Sequence, residues 1–540
     1  MSTVVDSIRK PLLYLILLAA FSMLAFTGLN GSLQNVDEVL YARVSRETFE
    51  HGSWLVQYKD GSAWFHKSPM LFWGVMLSYK LFGVSDVSAR LPSAVAGVVS
   101  AFLIFFITRK LFGSATAGVI GGLIYLTSIQ VYVSTHQVAI DSLLAMFLLL
   151  TLFFTIKGIE DSKGFLLLAG VSNAMVFLTK SILGFVVPAA FLLYLVIEKR
   201  WHLLQYLAAL FVISIAGAAP YFLFIYRTIP DMFVGSFLHE NLLDRFYSGS
   251  GLPAVKLLYR LGYGLLFYAV FLVLFTVPYT GVFAALFGRR NKPGPGGEPL
   301  LAGEVMWRGP RKLLTLSFLV TLIGYSLLGG KWPHWTMPMI PPIIVFLGYL
   351  LSSGRSRNQY IALSSFSFLA VALLLIVFAV EGGRHPTYRV VFLGLAALYG
   401  LFCAASLLLY ARRAPAEKGV FWLVAGFFIS FTLLTAVTVP LDFNSDIKTF
   451  SRVVYDQRSP LYVVGSSKVN EGNKRTVTIW YLKMRGVDYK SLDQFTKRVP
   501  NPERGSYIIY NREYRERLGE LYPTFTTLKT GRIWNIGRVE

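Results

Sequence analysis

The chain has 540 residues, of which 55% are hydrophobic and only 15% charged, a composition too apolar for an ordinary soluble globule. Its formal net charge of +22 does not indicate nucleic-acid binding, because the basic residues follow the topology of membrane loops. The single cysteine, Cys403, excludes an intrachain disulfide and a thiolate metal cluster. The composition therefore predicts an α-helical polytopic membrane protein.

Thirteen apolar runs are long enough to cross a bilayer, and the first is expected to be a retained span rather than a cleaved signal peptide. They lie at 11–29, 87–107, 114–133, 138–157, 164–179, 181–198, 203–226, 260–287, 312–329, 333–352, 360–380, 389–411 and 419–440. With the N-terminus inside, the basic loops all fall on the cytoplasmic side. The two short runs beside Lys180 leave a second interpretation open, in which a single span there moves every later loop to the other side.

These spans predict a membrane domain at 1–440 and a small soluble domain at 441–540. Two loops, 30–86 with amphipathic juxtamembrane helices and 227–259, are expected in the periplasm, and a Pro/Gly-rich linker at 288–311 in the cytoplasm. In the soluble domain, LYVVG, TVTIWYL and SYIIY predict strands and NREYRERLGELY predicts a helix. The odd number of spans places this α/β domain in the periplasm.

The first predicted periplasmic loop concentrates polar side chains between apolar segments. Asp37 and Glu38 are adjacent, Tyr41 follows at helical spacing, and His66 and Lys67 precede an aromatic run. Adjacent carboxylates beside a membrane span are costly unless they have a function. A solvated helix start also explains the carboxylates, and an interfacial lysine also explains Lys67.

Three further polar clusters fall on the same predicted face. Asp141 stands alone among apolar residues, HENLLDRF supplies Glu240 and Arg245, and GGKWPHW supplies Lys331 with its neighbours His334 and Trp335. Cations and carboxylates that converge beside lipid suit a lipid-phosphate substrate, since the cations hold the phosphate and a carboxylate serves as base. His66 with Glu240 suggests a divalent cation only weakly, and a surface histidine explains it as well.

Two other classes of protein are also compatible with many spans. A lipid or polysaccharide transporter, such as a flippase, is expected to carry charges near the bilayer midplane and to show internal repeats. Here the charges gather at one end, and no repeat is visible in the sequence. A scaffold with a periplasmic interaction domain would leave the loop carboxylates without a role.

Six motifs, in this order, resemble those of the GT-C glycosyltransferases of the ArnT and protein O-mannosyltransferase type. They are DEVLYARVSRE, HKSP, QVAID, FLTKSILGFVVP, HENLLDRF and GGKWPHW. The resemblance implies a GT-C fold and an enzyme of the bacterial inner membrane that transfers a sugar, with inversion, from a polyprenyl (undecaprenyl) phosphate. The sugar is expected to be 4-amino-4-deoxy-L-arabinose, a hexose or a uronic acid, and the acceptor lipid A or lipopolysaccharide. A protein hydroxyl is the alternative acceptor.

The resemblance also implies roles for the polar residues. The catalytic carboxylates are expected to be Asp37, Glu38 and Asp141, with Asp37 as general base and Asp141 toward the sugar. The remaining assignments are Lys67, Arg245 and Lys331 to the donor phosphate, and Tyr41, His334 and Trp335 to the sugar and lipid pocket. No cofactor is expected to be required. A divalent metal at His66 and Glu240 is a further expectation, although the chain departs from the family's metal-binding pattern at His66 and Asn241.

Overall fold

The computed structural model describes most of the membrane part and much of the C-terminal part of the chain. The described residues are 2–33, 35–243, 254–276, 305–352, 386–412, 445–451, 458–464, 486–489, 491–531 and 534–540, with a few short stretches between them. Predictions on 360–380, on most of 419–440 and on the linker at 288–304 lie outside these residues.

Long apolar helices make up the membrane part. In chain order they are α1 (Ser2–Ser22), α2 (Val36–Glu50), α3 (Met70–Phe82), α4 (Asp86–Phe112), α5 (Ala115–Thr127), α6 (Ile129–Thr135), α7 (Ile140–Glu160), α8 (Phe165–Thr179), α9 (Val186–Glu198) and α10 (Leu204–Thr228), followed by helices at Ala254–Phe275, Arg311–Leu327, Ile340–Ser352 and Pro386–Ala411. Short 3-10 helices at Ser181–Phe185 and Pro333–Met339 lead into α9 and Ile340–Ser352, and a π-helix at Phe233–Leu243 follows α10.

Among the described residues, six helices are long and apolar enough to cross a membrane. A seventh span is formed if α5 and α6, which are bent by 65° at a short break, are counted together. Shorter apolar helices, including α8, add to the bundle. The helical membrane architecture is confirmed, whereas the count of thirteen spans stays a prediction.

Ion pairs mark two opposite ends of this bundle. At the end that we name the Lys180 end, Lys180 Nζ lies 3.3 Å from an oxygen of Asp141, at the start of α7. At the end that we name the Lys312 end, Lys312 pairs with Glu198, the last residue of α9. Helix α8 therefore ends, and α9 begins, at the Lys180 end. This geometry agrees with two antiparallel helices around Lys180 rather than with a single span.

Close helix packing holds the bundle together. A Cβ atom on Gly348 would lie 2.6 Å from the backbone oxygen of Ala117 and 2.9 Å from Gly121, so α5 and Ile340–Ser352 touch backbone to backbone. Small residues permit such an approach in a bilayer, where dispersion contacts rather than water exclusion favour helix association. The surrounding apolar side chains form one continuous buried cluster across the bundle.

The first loop folds onto the Lys180 end. Helices α2 and α3 pack against each other, and between them β1 (Gln57–Lys59) and β2 (Ser62–Trp64) form an antiparallel hairpin. Helix α4 begins with a capping box at Ser85 and ends at Gly113, which adopts a left-handed conformation. Helices α2 and α3 thus lie within residues 30–86, while the assignment of this stretch as a periplasmic loop with amphipathic juxtamembrane helices stays a prediction.

The C-terminal part contains one mixed five-stranded sheet. Its strands are β3 (Leu461–Val464), β4 (Gly486–Tyr489), β5 (Tyr507–Asn511), β6 (Phe525–Thr530) and β7 (Trp534–Val539), in the order β4-β3-β5-β7-β6. LYVVG and SYIIY are strands as predicted, and NREYRERLGELY forms the 3-10 helix Arg512–Tyr514 and the helix Arg515–Leu521. The predicted strand TVTIWYL lies mostly outside the described residues, but its Tyr481 is helical and not extended.

This sheet does not stand apart from the membrane part. One buried apolar cluster contains side chains of α2, α3 and α4 together with Ile447, Phe450 and residues of β3, β5 and β7. The small α/β domain is therefore docked on the first loop at the Lys180 end. Its predicted boundary at residue 441 stays a prediction.

Candidate active site

A cavity of about 530 Å³ opens at the Lys180 end of the bundle. Its wall is formed by the start of α2, the segment before α3, the connection from α6 to α7, the break after α8 and the loop around Trp335. The predicted site residues on this wall are Asp37, Glu38, Tyr41, His66, Lys67, Asp141, His334 and Trp335. Residues distant in the sequence thus line one cavity at the Lys180 end of the helix bundle.

Asp37 and Glu38 both lie in the first turn of α2 but have different surroundings. The side chain of Asn35 caps the helix by accepting a hydrogen bond from the Asp37 backbone N–H, at 3.1 Å. Carboxylates in a first turn are favoured by the helix dipole. Asp37 is exposed, whereas Glu38 is only 1% exposed and pairs with Arg90 at 2.7 Å.

The ion pair between Glu38 and Arg90 is buried, and the predicted catalytic role of Glu38 stays a prediction. Arg90 is 4% exposed, and loss of one partner of a buried ion pair typically costs about 3–5 kcal/mol. The simple explanation of a solvated helix start therefore does not describe Glu38. Both carboxylates line the cavity, and Asp37 is the exposed member of the adjacent pair.

Lys67 and Lys180 approach the cavity from two different loops. The residues that follow them, Ser68 and Ser181, are joined through their hydroxyl oxygens at 3.2 Å. Gln57 donates to the backbone carbonyl of Lys67 at 3.3 Å, which further fixes the first of these loops. Two ammonium groups are thereby held on one wall of the cavity.

Asp141 occupies the first turn of α7 and is 8% exposed. It pairs with Lys180 at 3.3 Å, and His334 Nε2 lies 3.9 Å from its other oxygen. The Lys180 ammonium also lies 5.4 and 5.3 Å from the ring centroids of Tyr325 and Trp335, which stack on each other. A carboxylate, a cation and aromatic faces together form a surface suited to a sugar or a lipid headgroup.

Three predicted site residues are not placed on the cavity wall. Lys331 donates to the backbone carbonyl of Leu328, and burial together with the positive charge of Arg260 lowers the pKa of its ammonium to about 8. Arg245 lies outside the described residues. Glu240 belongs to the π-helix Phe233–Leu243, but its side chain is not described.

A metal site is not assembled by the described side chains. Within the ranges that the structure covers, no three His, Cys, Asp or Glu side chains are grouped so that they could hold a metal ion. Of the two expected ligands, His66 lines the cavity, and the centroid of its ring lies 5.1 Å from that of Trp64. Metal binding stays a prediction.

Sequence reasoning missed Lys180 and Arg90. In the sequence, Lys180 marks only a break between two apolar runs, and Arg90 is the fourth residue of the predicted span 87–107. The signal was present in both cases, because a charged residue among apolar residues implies a partner. The same argument singles out Asp141, whose partner proves to be Lys180.

Comparisons with known proteins agree with this architecture. Residues 66–224 match the family model of dolichyl-phosphate-mannose-protein mannosyltransferase. An undecaprenyl phosphate-alpha-4-amino-4-deoxy-L-arabinose arabinosyl transferase from Edwardsiella ictaluri is 27% identical over 401 residues, which are 70% of this chain and 68% of that protein. An undecaprenyl phosphate-alpha-4-amino-4-deoxy-L-arabinose arabinosyl transferase 2 from Pseudomonas fluorescens is 25% identical over 352 residues, which are 63% of this chain and 59% of that protein.

A solved structure shows the same fold. The crystal structure of ArnT from Cupriavidus metallidurans bound to undecaprenyl phosphate superimposes with a TM-score of 0.74 at 19% identity, over 98% of both chains. The fold and the sequence matches define a multi-pass glycosyltransferase of the inner membrane with the GT-C fold. More particularly, the chain is an ArnT-like glycosyltransferase.

Proposed function

We propose that this chain transfers 4-amino-4-deoxy-L-arabinose, with inversion, from undecaprenyl phosphate to a lipid A-type acceptor at the periplasmic face of the membrane. The observation that carries the proposal is the cavity at the Lys180 end, where the exposed carboxylate of Asp37 shares one hollow with Lys67 and Lys180. The names of the relatives supply the sugar and its carrier. The Lys180 end is assigned to the periplasm by the predicted topology.

In the proposed reaction, Asp37 takes the proton of an acceptor hydroxyl as that oxygen attacks the anomeric carbon. The bond between the anomeric carbon and the phosphate oxygen breaks, and its electron pair leaves with the polyprenyl phosphate. A general base typically contributes about 10²- to 10⁴-fold to such a step. Attack opposite the leaving phosphate inverts the anomeric centre.

The leaving phosphate gains negative charge and therefore needs cations. Lys67 and Lys180 are the described lysines on the cavity wall, and fixed cations stabilise charge that develops in the transition state. This proposal replaces Lys331 by Lys180, because Lys331 is directed to the Leu328 carbonyl. Arg245 keeps its predicted role, which no described contact tests.

The remaining wall residues are assigned to the sugar. Asp141 and His334 present hydrogen-bonding groups to sugar hydroxyls, and Tyr41 and Trp335 present aromatic surface. Because Asp141 already pairs with Lys180, an amino group on the sugar would share that carboxylate with a lysine. If a divalent metal binds at His66, it would add positive charge near the phosphate, and no step requires it.

A second acceptor is favoured by one observation, the match of residues 66–224 to a family named for protein mannosylation. Mass spectrometry of lipid A and of periplasmic proteins, from cells with and without the chain, separates the two acceptors. We expect lipid A to lose one 4-amino-4-deoxy-L-arabinose when the chain is removed. A sugar lost from proteins instead would favour the protein acceptor, and no change in either would overturn the proposal.

A further inference from the structure

The segment that leads into the Asp37 helix is held by a single buried guanidinium. Arg90 of α4 donates to the backbone carbonyls of Leu29 at 2.8 Å, Gly31 at 2.5 Å and Ser32 at 2.9 Å. Its Nε donates to Glu38 at 2.7 Å. One side chain thus joins the turn before α2 to the first turn of α2, at the residue next to Asp37.

The C-terminal domain holds the same segment from the other side. The hydroxyl of Tyr481 accepts a hydrogen bond from the Leu33 backbone N–H at 2.8 Å and donates to Asp86 at 3.1 Å. Lys448 donates to the Asn30 carbonyl at 3.0 Å and pairs with the same Asp86. Asp86 lies one helical turn before Arg90 in α4.

We name the contacts of Arg90, Tyr481 and Lys448 with residues 29–33 the clamp. Glu38 connects the clamp with a second wall of the cavity. Besides Arg90, its Oε1 accepts a hydrogen bond from the Val138 backbone N–H at 3.3 Å. Val138 precedes Asp141 by three residues, so Glu38 fixes the α2 start relative to the connection that carries Asp141. A shift of Glu38 would therefore move Asp37 with respect to the sugar-binding wall.

We propose that Arg90 and Tyr481 are positioning residues for the transfer reaction, which hold Asp37 at its distance from the donor by clamping the segment 29–33 and Glu38. The C-terminal domain then contributes to turnover without touching substrate. This inference rests on the proposed role of Asp37 as general base. A misplacement of about 1 Å in a reacting group is able to cost about 10²-fold in rate.

The decisive variant is Tyr481→Phe, because it removes one hydroxyl and leaves the apolar packing in place. Tyr522→Phe is its matched control, since the Tyr522 hydroxyl donates to the Val499 carbonyl at 3.0 Å within the C-terminal domain. The assay uses the full-length protein in detergent with undecaprenyl-phosphate-linked 4-amino-4-deoxy-L-arabinose and lipid A. Tyr481→Phe removes the hydrogen bonds of the hydroxyl with Leu33 and Asp86. We expect it to lower kcat about fivefold, with the KM for donor within about twofold of wild type. Tyr522→Phe should leave both constants unchanged.

A double-mutant cycle with Asp37→Asn tests whether the effect passes through Asp37. If Tyr481 acts by positioning the Asp37 carboxylate, its effect disappears when Asp37 is replaced by asparagine. Tyr481→Phe should therefore not lower the residual rate of Asp37→Asn. Arg90→Lys should lower kcat more than Tyr481→Phe, because a lysine cannot reproduce the fork of donors that Arg90 uses. An equal loss in both backgrounds, or an unchanged kcat in Tyr481→Phe, would overturn the inference.

Hydrogen exchange provides a readout that needs no substrate. Backbone amides between 29 and 40 should exchange faster in Tyr481→Phe than in Tyr522→Phe, and equal exchange would contradict the clamp. A wild-type protein that transfers no sugar would instead overturn the proposed function and the catalytic part of this inference. Failure of the positioning inference and failure of the proposed function therefore give different results.

Discussion

The two ends of the membrane bundle carry charged residues for different purposes. At the Lys312 end, charges are paired between helix ends: Lys312 with Glu198 and Lys110 with Asp161, while Arg311 donates to the carbonyl of Leu111 at 3.0 Å. At the Lys180 end, Asp37, Lys67 and the Asp141–Lys180 pair surround a cavity of about 530 Å³.

This difference shows that charge near a membrane surface does not by itself identify a site. Exposed ion pairs contribute little to stability, typically about 0–1 kcal/mol. At the Lys312 end, the exposed pair Lys110–Asp161 and the half-buried pair Lys312–Glu198 each join different helices or their ends. The charges at the Lys180 end are instead arranged around space that a substrate can enter. The arrangement around a cavity, rather than the number of charges, separates the candidate site from the structural ion pairs.

The largest expected effect concerns the compartments of the two ends. Glu520→Cys, in the C-terminal domain, should react with a membrane-impermeant thiol reagent added to the periplasmic side, whereas Ser162→Cys, near the Lys312 end, should not. Both positions are exposed and native Cys403 is buried, so the background should be low. Labelling of Ser162→Cys from the periplasm would invert the topology and contradict the assignment of the site to that face.

The next effect concerns the proposed base. Asp37→Asn retains the size of the side chain but removes its ability to accept a proton, so turnover should fall by about 10²-fold or more. Binding of undecaprenyl phosphate should stay close to that of wild type, because the asparagine leaves Lys67 and Lys180 in place. Turnover near the wild-type level in the purified variant would remove Asp37 from the mechanism.

A smaller effect is expected on the affinity for undecaprenyl phosphate when lysines at the two ends are replaced. Lys67→Ala and Lys180→Ala should each weaken binding of undecaprenyl phosphate by about 10- to 100-fold, since a charge-assisted hydrogen bond contributes about 1.5–3 kcal/mol. Lys312→Ala is the matched control at the opposite end and should leave that affinity unchanged. Lys331→Ala separates the two assignments of the phosphate site, because a large loss there would support the prediction from sequence over the structure.

The fold class was predictable from the sequence because membrane insertion depends on local composition. Spans such as 87–107 and 138–157 coincide with α4 and α7 to within a few residues at most ends. The C-terminal strands in LYVVG and SYIIY were also predictable, because a run of β-branched and aromatic residues is a local signal. The missed strands β4, β6 and β7 lack such a compact apolar run and are defined by pairing with distant partners.

The site was predictable only as a set of residue types on one face. The resemblance singled out Asp37, Lys67 and Asp141, and all three line the same cavity in the structure. Their roles remain predictions. The residue pattern alone does not separate Asp37 from Glu38, since adjacent residues of a helix start share the same local pattern. The expected role of Asp37 as general base came from the resemblance, and the structure adds that Glu38 is buried against Arg90.

The sequence by itself therefore determined the membrane class, the approximate position of spans such as 87–107 and 138–157, and the polar motifs, because each depends on neighbouring residues along the chain. Only the tertiary structure decided that Glu38 is buried against Arg90, that Lys180 rather than Lys331 lies on the cavity wall, and that Tyr481 reaches the turn before α2. Each of these contacts joins residues dozens to hundreds of positions apart. Such a contact depends on how helices pack and on which face they turn to one another, and local sequence patterns do not specify either.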